Sequence, residues 1–420
     1  MIVSVKADRF GGTINAIPSK SYAHRMLICA ALSRKDSILE CSALSEDIEA
    51  TVDCLNALGA DIRYQNGSFH IHPIDRNRLP EISEIDCRES GSTLRFILPV
   101  VCALGIRCDV VMRGRLPERP LSPMYEELVA HGVSLSPQGV QPFHVEGQLQ
   151  DPHFSIAANV SSQFISGLLF ALPLLGGGTL QMTGEVQSGS YIEITLECMR
   201  KSGIRIEYKD RCFIVSGEYD VPAVSVVQGD WSNAAFWLCA GAVGLEPVTV
   251  RGLIADSSQG DRKIIDVIHK FGGNVIQNGD SFISYPSKLH SITLDASDIP
   301  DLVPVISVLA MQAAGETVIE HAERLRIKES DRIASVCQLL RCFGADVKET
   351  HDGMRIVGGG SYHGGVIDSW NDHRIAMTAA VASLLISDAV MIQTAECVNK
   401  SYPGFYRDYR TLGGTVEEVI

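Results

Sequence analysis

Apolar and polar positions along this chain repeat on a long period. The amphipathic helical stretch Leu55-Asn56-Ala57-Leu58 closes on Gly59 and gives way to alternating residues that begin Ala60-Asp61-Ile62. The same succession returns at 128–133, 199–204, 268–273, 340–345 and 409–414. Glycine just past a helix end takes the left-handed conformation without a Cβ clash, so each glycine marks where a helix stops. These glycines stand at 59, 132, 203, 272, 344 and 413, spaced 73, 71, 69, 72 and 69 residues apart. So regular a spacing is an internal repeat of six units.

A second helix recurs in the same phase, beginning near Ser21, Ser90, Ser161, Ser232, Ile299 and Asn371. It is apolar on nearly every side, as in Phe96-Ile97-Leu98-Pro99-Val100, and a helix hydrophobic all round is a buried one. Each unit therefore predicts one buried helix, one amphipathic outer helix and strands between them, an α/β arrangement. Three units would surround their buried helices as one domain, and six make two. The length of 420 residues agrees, since it exceeds what one core usually supports.

The first turns of the buried helices carry Ser, Thr, Asn, Gln, Arg or Asp. Helix starts expose unpaired N–H groups and partial positive charge, which suits anions. For a single helix, Ser or Asn there reads as an ordinary N-cap. Six in phase, most with Arg or Lys nearby, predict a common anion-facing surface.

Composition sharpens that expectation. The chain is 45% hydrophobic and 20% charged, as packed proteins are, but its formal net charge is -14. Such a field repels nucleic acid and anionic membrane, so any anionic ligand must be caught by a local cluster of cations. Twelve cysteines show no Cys-x-x-Cys, and Cys29, Cys102, Cys239 and Cys337 sit in apolar helical runs. They read as buried reduced thiols, which points to a cytoplasmic protein. Residues 1–5 read as a strand rather than a signal or transit segment, and the longest apolar run, 164–175, is too short to span a bilayer.

The candidate chemistry lies at the helix starts and in the loops beside them. Lys20, Ser21 and Arg25 open the first buried helix, with Ser21 as cap and His24 either packed or catalytic. Gly91 lies in a small-residue turn where a backbone could approach a ligand, and Arg113, Arg115 and Arg119 share one loop. Ser161, Ser162 and Gln163 offer two hydroxyls and an amide. Asp301 heads an apolar run, where an acid is either an N-terminal charge partner or a general base. The densest cluster is Arg324-Leu325-Arg326-Ile327-Lys328-Glu329-Ser330-Asp331-Arg332. Lys328 and Arg332 are four apart, so they share a helix face, which costs stability unless an anion lies between them. Asn371-Asp372-His373-Arg374 caps the last buried helix, and Lys400 lies in the final loop.

Together, the Lys20-Ser21 and Arg25 motif, the Gly91 turn, Glu118-Arg119-Pro120, Ser161-Ser162-Gln163, Pro300-Asp301, Lys328-Glu329-Ser330-Asp331-Arg332, Asn371-Asp372-His373-Arg374 and Lys400 carry a resemblance. In their order and spacing the chain resembles the 5-enolpyruvylshikimate-3-phosphate synthase family of enolpyruvyl transferases along nearly its full length. The resemblance implies two lobes of three βαβαββ units, an N-terminal lobe over 19–228 and a C-terminal lobe over 1–18 and 229–420, closing on substrate in the cleft between them. It implies transfer of the enolpyruvyl group of phosphoenolpyruvate to the 5-hydroxyl of shikimate 3-phosphate, a step toward chorismate and the aromatic amino acids, through a tetrahedral ketal. Lys20, Ser21, Arg25, Ser161, Ser162, Gln163, Ser188, Asp301, Arg324 and Lys328 would then face shikimate 3-phosphate. Lys20, Gly91, Arg119, Gln163, Arg332, Arg374 and Lys400 would face phosphoenolpyruvate. Asp301 would be the base, and Glu329 with Lys20 would exchange the methylene proton. The implied enzyme needs no cofactor or metal, works as a monomer, and binds neither nucleic acid nor membrane.

Three positions depart from the family pattern, one of them Ser92, which replaces a usual Thr. Glu89 stands where many members have Asn, so it would repel phosphoenolpyruvate unless Arg88, Arg95 or another cation pairs with it. Arg324 replaces a frequent Asn. Gly91 is retained, which predicts no steric block to the inhibitor glyphosate. The nearest rival, UDP-N-acetylglucosamine enolpyruvyl transferase, usually has a reactive Cys in the loop corresponding to 113–120, and this loop has none. A six-unit DNA clamp would need basic lining helices, whereas the recurring helices here are apolar.

Overall fold

The structure, a computed structural model, describes residues 1–7, 9–186 and 189–419. The chain divides into two compact units, Met1–Ser19 with Gln228–Ile420, and Lys20–Val227. Among the described residues, the helices of Lys20–Val227 are α1 (Lys20–Ala31), α2 (Glu46–Ala57), α3 (Gly91–Leu104), α4 (Met124–Ala130), α5 (Ser162–Ala171) and α6 (Gly189–Lys201). Those of the other unit are α7 (Trp231–Val243), α8 (Ile264–Lys270), α9 (Val303–Gln312), α10 (Arg332–Cys342), α11 (His373–Ala382) and α12 (Phe405–Thr411). Odd-numbered helices are the inner ones: every residue of α7 except Ser232 is buried, as is every residue of α11. Even-numbered helices are amphipathic and end at the periodic glycines. The φ angles there are 107, 97, 84, 88, 83 and 101° at Gly59, Gly132, Gly203, Gly272, Gly344 and Gly413, which a side chain would resist.

Among the described residues the strands form six four-stranded sheets of one design. In the third, His153–Ala157 runs parallel to Gly178–Thr183, a connection that needs the crossover helix α5 between them. Gly178–Thr183 pairs antiparallel with Cys212–Ser216, which closes a hairpin with Arg205–Lys209. Two sheets borrow a strand from the chain's start. β1 (Ile2–Lys6) lies antiparallel between Val390–Gln393 and Thr415–Val419, and β2 (Gly12–Asn15) runs parallel to Val248–Arg251. The first sheet of Lys20–Val227 is completed by Val224–Val226, from the end of that unit.

Each unit has its own hydrophobic core. In the unit that holds both termini, Trp237 stacks on Phe405 at 4.8 Å and donates from Nε1 to Tyr402 Oη at 3.0 Å. Burying an aromatic side chain of this kind contributes roughly 1.5–3 kcal/mol, provided its polar atom finds a partner. The cysteines are free thiols, all buried except the half-buried Cys212 and Cys342. Among the described residues no helix is long and apolar enough to cross a membrane.

Two local expectations need correction. α1 begins at Lys20, so Ser21 lies inside its first turn and does not cap it. Lys328 and Arg332 do not share a helix face. Glu323–Ile327 is a 3₁₀ turn that Lys328 terminates in an extended conformation, and α10 starts only at Arg332, behind an Asp331 cap. The helical spacing misled because Asp331 competes for the backbone: its carboxylate accepts from Ala334 N and restarts the chain there.

Candidate functional site

In the unit holding both termini, the chemistry gathers where α9, α10 and α11 begin. Pro300–Leu302 forms a 3₁₀ turn ahead of α9, since Pro fits a helix's first position, and presents Asp301. Lys328 Nζ reaches Asp301 Oδ1 at 3.2 Å, Arg332 Nη1 reaches it at 2.7 Å, and Arg374 Nε lies 3.8 Å away. The anion between Lys328 and Arg332 is therefore Asp301 itself. Arg332 is 1% exposed, and its remaining nitrogens meet Asp372 Oδ2 at 2.8 Å and Glu329 Oε2 at 2.7 Å. Burial works against its charge, but Asp372, Glu329 and Asp301 together outweigh burial and raise its pKa. Burial lowers the pKa of Lys328, with Arg332 and Arg324 adding to that and Asp301 opposing. Arg324 is thus close enough for its charge to be felt at Lys328.

Asp372 is fully buried and caps α11 by accepting from Arg374 N at 3.0 Å, while Ser330 Oγ donates to its other oxygen at 3.0 Å. Arg374 Nη1 donates to the Asp301 carbonyl at 2.8 Å and Nη2 to Ser232 Oγ at 2.7 Å. Trp370 and Asn371 take positive φ of 50° and 54°, a turn that offers the Asn371 carbonyl to Lys400 Nζ at 2.7 Å. Two non-glycine residues held in that region cost of order 1–3 kcal/mol each, and such strain clusters at functional sites.

In Lys20–Val227 the same kind of gathering occurs at the starts of α1, α3 and α5. Lys20 Nζ meets Asp47 Oδ2 at 2.6 Å. Arg25 is 2% exposed and commits Nε to Thr195 Oγ1 at 2.7 Å, Nη1 to the Ser21 carbonyl and Nη2 to the Tyr191 carbonyl. Burial brings its pKa down to about 10. Ser90 and Ser161 accept from backbone amides of their own helices, so both hydroxyls are ordinary caps. Gln163 accepts from Arg95 Nη1 at 2.8 Å and donates to Ser92 Oγ at 2.9 Å, which ties α5 to α3, while Ser162 beside it is buried. A Cβ at residue 91 would stand 2.8 Å from Arg119 Nη1 and 2.9 Å from Arg95 Nη1, so Gly91 is what admits both guanidinium groups. Arg113 pairs with Asp86 rather than joining Arg119.

The open question at His24 resolves toward packing. It is fully buried, its Nδ1 lies 2.7 Å from Thr51 Oγ1, and Thr51 continues to Thr93 Oγ1 at 2.7 Å. Burial, then the charges of Lys20 and Arg25, hold the ring neutral. Arg88 is occupied by Glu49 and Asp53, and Glu89 turns its carboxylate over Gly114, 2.7 Å from where a Cβ would be. Ser188 lies outside the described residues. Sequence reasoning missed Asp47 and Thr195 and read Ser232 only as a helix start; Asp47 was discoverable, because it occupies an in-phase position of the repeat.

Comparison with known proteins adds an independent line. The family model described as EPSP synthase (3-phosphoshikimate 1-carboxyvinyltransferase) matches residues 5–409. A 3-phosphoshikimate 1-carboxyvinyltransferase of Clostridium novyi is 40% identical over 430 aligned residues, covering 99% of this chain and 98% of that protein. The Clostridium acetobutylicum protein of the same name is 41% identical over 416, covering 97% and 96%. Among solved structures, EPSP synthase from Acinetobacter baumannii aligns with a TM-score of 0.81 at 24% identity, covering 99% of this chain and 100% of that one. The enolpyruvyl transferase NikO from Streptomyces tendae aligns at 0.78 and 18%, covering 100% and 98%. At those identities the structural likeness speaks to the fold, which is the two-lobed arrangement of six repeats.

Proposed function

Because the chain belongs to the EPSP synthase family, we propose that it transfers the enolpyruvyl group of phosphoenolpyruvate to the 5-hydroxyl of shikimate 3-phosphate and releases phosphate. The observation that carries this reading is the convergence of Lys328, Arg332 and Arg374 on one carboxylate, Asp301. Cations held in place by an internal carboxylate are preorganised for anionic substrates, and an arriving phosphate or carboxylate takes over part of their charge. That exchange leaves Asp301 freer to accept a proton.

The chemistry then runs in two steps. In the addition, the 5-hydroxyl oxygen bonds to C2 of phosphoenolpyruvate, its proton passes to Asp301, and the C3 methylene takes a proton from Glu329 or Lys20. The product is a tetrahedral ketal. In the elimination, the bond from C2 to the phosphate oxygen breaks, a C3 proton returns to the protein, and the double bond re-forms. Carboxylates beside C2 favour the positive charge that develops there.

In Lys20–Val227 we assign Lys20, Ser21, Arg25, Ser161, Ser162 and Gln163 to shikimate 3-phosphate, and Lys20, Gly91, Arg119 and Gln163 to phosphoenolpyruvate. In the other unit, Asp301, Arg324 and Lys328 serve the former, and Arg332, Arg374 and Lys400 the latter. Arg25 contributes its charge and holds the Ser21 turn through Nη1, while Nη1 and Nη2 each keep a second N–H beyond these bonds. The protein works as a monomer in the cytoplasm, where its buried thiols stay reduced.

The test is phosphate release from phosphoenolpyruvate in the presence of shikimate 3-phosphate or UDP-N-acetylglucosamine. Turnover with shikimate 3-phosphate alone is expected. Asp301→Asn should lower kcat by about 10²–10⁴, as loss of a positioned base does. Turnover confined to the nucleotide sugar would overturn the reading.

A further inference from the structure

Among the described residues, four inner-helix starts face a residue from the beginning of the next outer helix or the turn leading into it. Lys20 faces Asp47 at 2.6 Å, Asp301 faces Lys328 at 3.2 Å, and the Asn371 carbonyl ahead of α11 faces Lys400 at 2.7 Å. Gly91 faces the guanidinium of Arg119. These partners lie 27 to 29 residues apart along the chain. At the same separation in the fourth repeat stand Ser232, in the first turn of α7, and Asp261, in the 3₁₀ turn Gly260–Lys263 ahead of α8. The other four pairs all contribute to the proposed machinery, and this one does not.

The contacts around Asp261 give it a specific task. It is 5% exposed, and its carboxylate accepts a hydrogen bond from the Ser232 hydroxyl. Ser232 Oγ in turn accepts from Arg374 Nη2 at 2.7 Å, and Arg374 Nη1 donates to the Asp301 carbonyl at 2.8 Å. A hydroxyl has one proton to give. An acceptor-only carboxylate at Asp261 draws that proton to itself and leaves a lone pair turned to Arg374. Burial first, and then the charges of Asp301 and Asp230, lift the Asp261 carboxyl to about 6, with Arg374 and Ser232 opposing. A buried acid so perturbed is commonest at functional sites.

We infer that Asp261 is a positioning residue for the transfer reaction: through Ser232 it fixes the orientation of the Arg374 guanidinium and thereby sets the affinity for phosphoenolpyruvate. The inference rests on the assignment of Arg374 to that substrate.

Steady-state kinetics on the full chain, with phosphoenolpyruvate and shikimate 3-phosphate varied in turn, test it. Ser232→Ala and Asp261→Ala should each raise the KM for phosphoenolpyruvate about 5- to 20-fold, the worth of a hydrogen bond to a charged group, while kcat and the KM for shikimate 3-phosphate stay within about threefold. The double variant should be no worse than the worse single one, because the two act in series. Asp261→Asn keeps an acceptor and should recover most of the affinity. Phosphoenolpyruvate KM values within about twofold of the unaltered enzyme, or effects that multiply in the double variant, would overturn the inference. Arg374→Gln separates the two possible failures. If it leaves that KM unchanged, the substrate assignment has failed; if it raises it while Ser232→Ala does not, only the role of Asp261 has failed. Ser232 is half-buried, so its variant carries the test if Asp261→Ala does not fold.

Discussion

Three carboxylates share one guanidinium at Arg332, and a fourth acid, Asp261, sits nearby with a raised pKa and an electrostatic cost to the fold. The sign of that cost follows from its titration. The ordinary carboxyl value of 3.8 is raised to about 6 in the folded protein, so the contribution of Asp261 to stability is most favourable below 3.8 and is lost as pH rises through about 6. At neutral pH the buried charge therefore opposes folding, by up to roughly 3 kcal/mol at 1.36 kcal/mol per pH unit. Asp261→Asn should raise the urea midpoint at pH 8 and do so much less at pH 5. A variant whose gain is larger at pH 5 would show that the facing charges of Asp301, Arg374 and Asp230 do not act as described. Asp261 could not be singled out from the sequence as a buried acid, since Gln259-Gly260-Asp261-Arg262-Lys263 reads as an exposed polar turn. Its burial comes from packing against Ser232 and Arg374, which are far apart in the chain.

At the scale of elements, the repeat was legible because it rests on strong local signals. Glycine is the residue that ends a helix in the left-handed region, and an apolar run flanked by amphipathic ones has only the interior to occupy. What could not be read was the backbone between elements. Lys328 looked helical by spacing, yet the Asp331 cap places it in a turn where it and Arg332 reach Asp301 from different directions. The turn at Gly91 offers a sharper test of element-level design. An added Cβ meets Arg119 Nη1 at 2.8 Å, Arg95 Nη1 at 2.9 Å and Arg119 Cζ at 3.0 Å. These are the ends of flexible side chains, and φ at Gly91 is not in the left-handed region, so the helix itself tolerates alanine. Gly91→Ala should keep its melting temperature within about 3 °C while raising the phosphoenolpyruvate KM roughly tenfold, since only the guanidinium groups must move. A large loss of stability with KM unchanged would mean that the glycine serves packing of α3 instead.

At the scale of the whole molecule, the two units differ in how their chain is supplied. Lys20–Val227 is continuous, and the core of that unit draws on no residue outside it. The first sheet there is completed by Val224–Val226, so removing residues 1–19 and 228–420 leaves all its strands paired. The other unit is different: β1 is not an edge but lies between Val390–Gln393 and Thr415–Val419, and Val3 and Val5 are buried in its core. Without β1, two strands lose a central partner, and their unpaired N–H and C=O groups lie open to other chains. A fragment covering 20–227 should therefore unfold in one cooperative transition, seen by loss of near-UV and far-UV circular dichroism together. A fragment covering 228–420 should aggregate or lack fixed tertiary structure, and should recover it when a synthetic peptide of residues 1–19 is added. Because two sheets of that unit take a strand from the peptide, rescue should fail when Val3 and Val5, which bury side chains in the core, are both replaced by Asp. Cooperative folding of 228–420 by itself would refute this account, since it would mean that the remaining pairings suffice and that the N-terminal strand only decorates a core already complete.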